Sequence, residues 1–234
     1  MACSSPADKR LEEALNMAGN NRIELEKVLK HYEHDSLKLK AARFLIENMP
    51  YHIGINDYIY DPQGKAYSFD LSKYRGDVDN LVRSDFDSLL KCGYRFERKK
   101  VKDIEAVKAD YLIENIELAF EMWGKSWAKD LSFSIFSQYI LPYRVSNEPI
   151  SQKRKELMNR YVSVLDSAAP YSSLEACMVL NQFLKSKVYF RGFSPIYNSI
   201  EYIDRYKVDN CEGLATYFSY VARSLGIPCQ GCCW

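Results

Sequence analysis

"VDNCEGLATYFSYVARSLGIPC", residues 208–229, decides how the rest of the chain is read. Leu214, Ala215, Phe218, Val221, Ala222 and Leu225 recur at i, i+1, i+4, i+7, i+8 and i+11, the stripe of a packed helix. Asp209 or Asn210 supplies the N-cap, and Gly226 with Pro228 supplies the stop. Cys211 therefore falls in the first turn. There the unpaired N–H groups and the helix dipole favour thiolate over thiol and make a nucleophile. The competing reading is a buried structural cysteine.

Upstream, the periodicity is mostly helical. "SSPADKRLEEALNMAG" carries Leu11, Ala14, Leu15 and Ala18 and ends at Gly19. "NRIELEKVLKHYEH" follows with Ile23, Leu25, Val28, Leu29 and Tyr32. Asp35 then caps "SLKLKAARFLIENM", whose stripe is Leu37, Ala41, Phe44, Leu45 and Met49. Residues 51–76 lack a clean period and read as a loop with at most a short strand. "DVDNLVRSDFDSLLKCG" is helical again, with Cys92 before the Gly93 stop. The longest expected helix is "VKDIEAVKADYLIENIELAFEMWG", ending near Gly124, with a broad apolar face able to bridge two halves of the protein. A Ser-capped segment from Leu131 stops at Pro142, and two helices follow at about 150–168 and 172–187. The second of these should bury Leu174, Met178, Leu180 or Val179, and Phe183, with Cys177 in that interior as a small hydrophobe. Convincing strand signal appears only in "GIPCQGCCW".

Composition narrows the classes. Hydrophobic residues at 47% and charged residues at 27% describe an ordinary globular chain, long enough at 234 residues for one large domain or two small ones. A net charge of +1 gives nucleic-acid binding no support, and "FERKKVK" at 96–102 reads as a solvated edge between two helices. No window approaches the apolar length of a membrane span. Seven cysteines without repeated spacing do not form a disulfide framework. His31 and His34 stand at i,i+3, with no third ligand nearby, and read as solvent-facing.

Asp209-Asn210-Cys211-Glu212-Gly213-Leu214-Ala215, followed by "YVARSLGIP" at 220–228, resembles the transglutaminase-like cysteine enzyme superfamily. Its signature has a cysteine at a helix start, a small residue shortly after, and a "LRALGIP"-type run into a strand. The match covers about 30 residues, including Arg223, Gly226, Ile227 and Pro228; Asp209-Asn210 stands where Gly is usual. "KAARFLIENMPYH" and "FSQYILPYRVSNEP" look like segments that accompany this core in bacterial members. The resemblance implies a papain-like α+β fold, predominantly helical in the residues present, with the core's sheet largely missing. It divides the chain into a helical region at 1–125 and the first part of a catalytic core at 126–234. It also implies a Cys211 thiolate attacking a peptide or Gln carboxamide, with a later histidine as base and acid and an Asp or Asn orienting it. Hydrolysis is expected over cross-linking, on a peptide or protein substrate, with no cofactor and no metal.

No histidine follows His52, and Trp234 resembles the Trp preceding the catalytic histidine of such enzymes. The expectation is a chain truncated before its His and Asp, and inactive as it stands. The alternative is a non-catalytic cell-surface binding or scaffolding module with a degenerate core. Gln138 and Tyr139 are candidates for the side-chain half of an oxyanion site, alongside the Cys211 N–H. "CQGCCW" has the wrong Gln-to-Cys distance for a papain active-site run. Cys229, Cys232 and Cys233 lack the second pair that a zinc site needs. "MACSSPADKR" has no apolar signal region, yet its start resembles that of a mature bacterial lipoprotein. Cys3 is thus a candidate for lipid attachment, and the cell envelope the expected location.

Overall fold

The computed structural model describes residues 6–74, 78–196 and 198–230. Cys3, Cys232, Cys233 and Trp234 lie outside these. The chain opens with three helices packed on one another, α1 (Pro6–Met17), α2 (Arg22–His31) and α3 (Ser36–Asn48). The Asp35 carboxylate accepts the Lys38 N–H and starts α3, as its sequence requires. Leu25, Val28, Ala41, Leu45, Ile46 and Met49 are buried, whereas Ile23 and Leu37 face solvent.

The next segment departs from its sequence reading. Residues 53–60 form an eight-residue strand, β1 (Ile53–Tyr60), followed by the two-residue β2 (Ala66–Tyr67). After α4 (Asp79–Lys91), the basic run expected as an edge between helices is a second long strand, β3 (Arg95–Lys102). The sheet order is β2-β1-β3, all antiparallel, from Ile53 opposite Lys102 to Tyr60 opposite Arg95. Most of β3 is solvated, which is why its charges hide the strand period. Arg98 stands directly across from Asp57 and grips it with two hydrogen bonds, and the Lys99 ammonium lies over the Tyr58 ring.

The long helix expected over 101–124 is broken in two, α5 (Asp103–Ala106) and α6 (Ala109–Trp123). Partners from the N-terminal helices cause the break. The Asn21 amide donates to the carbonyls of Ile104 and Val107, and the Glu24 carboxylate accepts the Ala109 N–H, so the end of one helix and the start of the next are both satisfied from outside. The remaining elements are α7 (Phe133–Tyr139), α8 (Arg154–Ala168), α9 (Ser173–Leu184), β4 (Tyr189–Phe190), α10 (Ile200–Tyr206), β5 (Val208–Asp209) and α11 (Cys211–Ser224). Strand β4 pairs parallel with β5. On α9 the buried side chains are Ala176, Leu180 and Leu184; Leu174 and Met178, expected inside, are exposed. Cys177 is half-buried, and burial pushes its thiol up. No strand is formed at residues 227–230, although the sequence signalled one.

The whole is a predominantly helical α+β protein with little sheet. Helix α6 bridges two apolar cores, as its broad face predicts: Ile116 and Ala119 pack with α1–α3, Leu118 and Met122 with α8, α9 and α11. A third core joins β1, the loop after β2, α4 and α10 through Ile59, Phe69, Val82 and Tyr202. Buried polar groups tie these layers together. Arg144 donates to both oxygens of Asp103, which also accepts from the Tyr143 hydroxyl. Fully buried Arg154 meets no carboxylate; its guanidinium donates to Asn115 and to the carbonyls of Ile140, Leu141 and Arg223. Desolvation without a counter-ion pulls Arg154 down to about 10. Among the described residues no helix is long and apolar enough to cross a membrane.

Candidate functional site

Helix α11 begins where its sequence predicts. Asn210 is the N-cap, its side-chain oxygen accepting the Gly213 N–H at 2.9 Å. Cys211 occupies the first helical position and is exposed, which disposes of the structural-cysteine reading. Tyr217, Val221 and Leu225 are fully buried below it, while Leu214 and Phe218 are half-buried against the same core. The fully buried Val221 and Leu225 stabilise the helix's seat by roughly 1.5–3 kcal/mol each.

The floor of this first turn is a carboxylate. Asp209 is 1% exposed, and one of its oxygens accepts the Asn210 N–H at 2.7 Å. The other oxygen is buried without a hydrogen-bond partner. Burial raises the Asp209 carboxyl to about 6, against the easing effect of the Asn210 N–H and the Ser194 hydroxyl; the nearby Glu212 charge adds to the rise. No ion pair to Asp209 exists among the described residues. Gly213 makes room for it: a Cβ there would stand 2.4 Å from the Asp209 Cγ. Sequence reasoning saw Asp209 only as a possible cap. The Asp209–Gly213 spacing, one helical turn apart, was the available signal.

The far end of α11 is equally determined. Gly226 adopts φ +72°, and a Cβ there would lie 2.6 Å from the Met122 carbonyl, so this stop accepts only glycine. Beyond it the chain doubles back along the helix. The Ile227 N–H reaches the Ala222 carbonyl, the Arg223 Nε donates to the Cys229 carbonyl, and the Cys229 thiol meets the Ser219 hydroxyl at 3.3 Å.

This geometry separates several residues that the sequence offered together. Tyr139 accepts the Cys229 N–H through its carbonyl, opposite the 219–223 part of the helix. Gln138 is exposed and donates to the Ser134 hydroxyl one turn earlier. Among the described residues no hydrogen bond joins either of them to Cys211. His52 feels the charges of Asp103, Arg144 and Arg223, and burial, the largest influence, pulls its imidazole down. Arg223 lies twelve residues beyond Cys211, about 18 Å along a helix, so His52 belongs to the opposite end. His31 and His34 are exposed at the end of α2. Among the described residues no group of three or more His, Cys, Asp or Glu side chains is arranged to hold a metal ion.

What the arrangement offers chemically is an accessible sulfur at the positive end of a helix, beside a buried carboxyl that burial raises to about 6. Comparison with protein-family models, with curated proteins and with solved structures finds no match for this chain.

Proposed function

We propose that Cys211 is the nucleophile of a transglutaminase-like cysteine enzyme acting on a peptide or Gln carboxamide. The observation that carries this reading is the exposed thiol in the capped first turn of a long, well-packed helix, where peptide dipoles favour negative charge. The glycine-enforced stop at Gly226 and the antiparallel return of the chain lend support, since a papain-like core packs its nucleophile helix against the segment that follows. The three histidines stand elsewhere, so the reading requires its general base from outside this sequence. General acid–base assistance contributes ~10²–10⁴-fold, and the 234-residue chain alone is proposed to be inactive.

The second reading is a non-catalytic binding module. The partnerless position of Cys211 with respect to His31, His34 and His52 favours it. Lipid attachment at Cys3 remains a proposal independent of either.

Two exposed cysteines make the test. Cys92 is the C-cap of α4, at the negative end of a helix dipole, whereas Cys211 sits at a positive end. Iodoacetamide at neutral pH, followed by peptide mass mapping, should alkylate Cys211 faster than Cys92. Equal rates, or a faster Cys92, in folded protein would remove the basis for a nucleophile at residue 211.

A further inference from the structure

Helix α8 is 15 residues long and starts without a side-chain cap. Lys153 stands at the N-cap and makes no capping bond, and among the described residues the N–H groups of Arg154 and Lys155 meet no acceptor. A cavity of about 10 Å³ lies at this end of the helix, between Ser151, Arg154 and Lys155 on one side and Glu114 and Asn115 of α6 on the other. That is room for one body of about the size of a water molecule.

The buried polar groups of the lining have donors to spare and no acceptor. Arg154 is 6% exposed; its terminal nitrogens are taken by Asn115 and three carbonyls, but its Nε is buried without an acceptor. The buried Ser151 hydroxyl accepts the Lys153 N–H, which leaves its own O–H to donate. The Asn115 amide is used at both ends, by the Leu141 carbonyl and by Arg154. The Tyr111 hydroxyl donates to the Ser151 carbonyl. Glu114 is exposed, with its carboxylate 3.8 Å from the Lys155 ammonium.

We propose that this cavity binds one monatomic anion, chloride, held by the Arg154 Nε, the Ser151 hydroxyl and the open amide end of α8. Charge balance supports it. Arg144 feels the buried carboxylates Asp103 and Glu148, and Arg223 feels Glu148, whereas Arg154 feels the charge of Arg223 and of no carboxylate. Three buried guanidiniums thus stand against two buried carboxylates, and one negative charge closes the balance. Asp204, near Lys153, is already held by Arg160 and Lys207. Size selects a single sphere over phosphate, sulfate or a carboxylate. A water molecule would accept from Nε but leave the charge uncompensated. Because Arg154 ties α6 to α11, the ion should stabilise the whole helical packing. Cys211 does not line the cavity, so the inference is independent of any chemistry at that residue.

The test titrates sodium chloride into the full chain, with sodium gluconate holding the ionic strength constant. The thermal midpoint should rise with chloride and saturate in the millimolar range, as binding to the folded state requires. The ³⁵Cl resonance should broaden on adding protein, and phosphate should not restore its width. Lys155→Glu, a change at an exposed position of the lining, should raise the half-saturating chloride at least tenfold. Arg154→Met should abolish the chloride response, and where that variant does not fold Lys155→Glu decides alone. A midpoint indifferent to chloride would make water the occupant and overturn the proposal. Displacement of chloride by phosphate, or an unchanged half-saturation in folded Lys155→Glu, would overturn it as well.

Discussion

Asp103 and Asp209 are both carboxylates at 0–1% exposure, and they live by opposite rules. Asp103 starts the short helix α5 and is held by two nitrogens of Arg144 and by the Tyr143 hydroxyl, so its charge belongs to a closed network. Asp209 lies under the first turn of α11 with one oxygen unpartnered and its carboxyl raised to about 6. The first tolerates burial because its partners were buried with it. The second persists at some expense in stability, next to the one cysteine exposed at a helix start. A group that stability alone would remove is where function is to be sought.

The largest effect should come from the closed network. Asp103→Asn leaves the Arg144 charge buried without its counter-ion and should destabilise the fold by about 3–5 kcal/mol in urea titrations. A loss below 1 kcal/mol would erase the distinction between the two carboxylates. Asp209→Asn should act in the other direction. Because the folded carboxyl titrates near 6 and the unfolded one near 3.8, the folded state binds the extra proton between those values. Stability from this group is full below the lower value and is lost as pH rises through the upper one, by about 3 kcal/mol. Asn retains an acceptor for the Asn210 N–H and carries no charge. The variant should therefore gain stability above pH 6.5 and lose the decline between pH 4 and 6.5, as thermal melts at pH 4.5 and 7.5 will show. A variant less stable than wild type at pH 7.5 breaks the comparison. The smallest effect concerns the cap beside Asp209: Asn210→Ala should cost about 1 kcal/mol by removing the acceptor for the Gly213 N–H, read as a lower urea midpoint with unchanged slope.

The helices that were legible carry local evidence of face, cap or stop. Ser132, Ser172 and Ser199 cap α7, α9 and α10, and Asp35 caps α3, through contacts of three residues' reach. The sheet was not legible because β3 puts charge on most of its positions and is recognised only by its register with β1. The break between α5 and α6 was hidden for the same reason, being made by Asn21 and Glu24 more than 80 residues away. On α9 sequence spacing placed Leu180, Phe183 and Cys177 at the core correctly but also put Leu174 and Met178 there, which face solvent. At the site, Cys211 and its cap could be read locally. Asp209's burial, the contact of the Tyr139 carbonyl with Cys229, and the pairing of Arg144 with Gly54 are facts of packing.

Arg154 has a consequence for how the molecule comes apart. Its one guanidinium is bonded to Asn115 on α6, to the carbonyls of Ile140 and Leu141 after α7, and to the Arg223 carbonyl at the end of α11. Releasing any of these segments leaves further unmet donors on a buried cation whose Nε already lacks an acceptor, so each is held in place by the others. The helix that carries Cys211 therefore cannot fray from its C-terminal end alone. Its amide protons should exchange with solvent together with those of α6 and α7, in a single opening that spans more than a hundred residues of sequence.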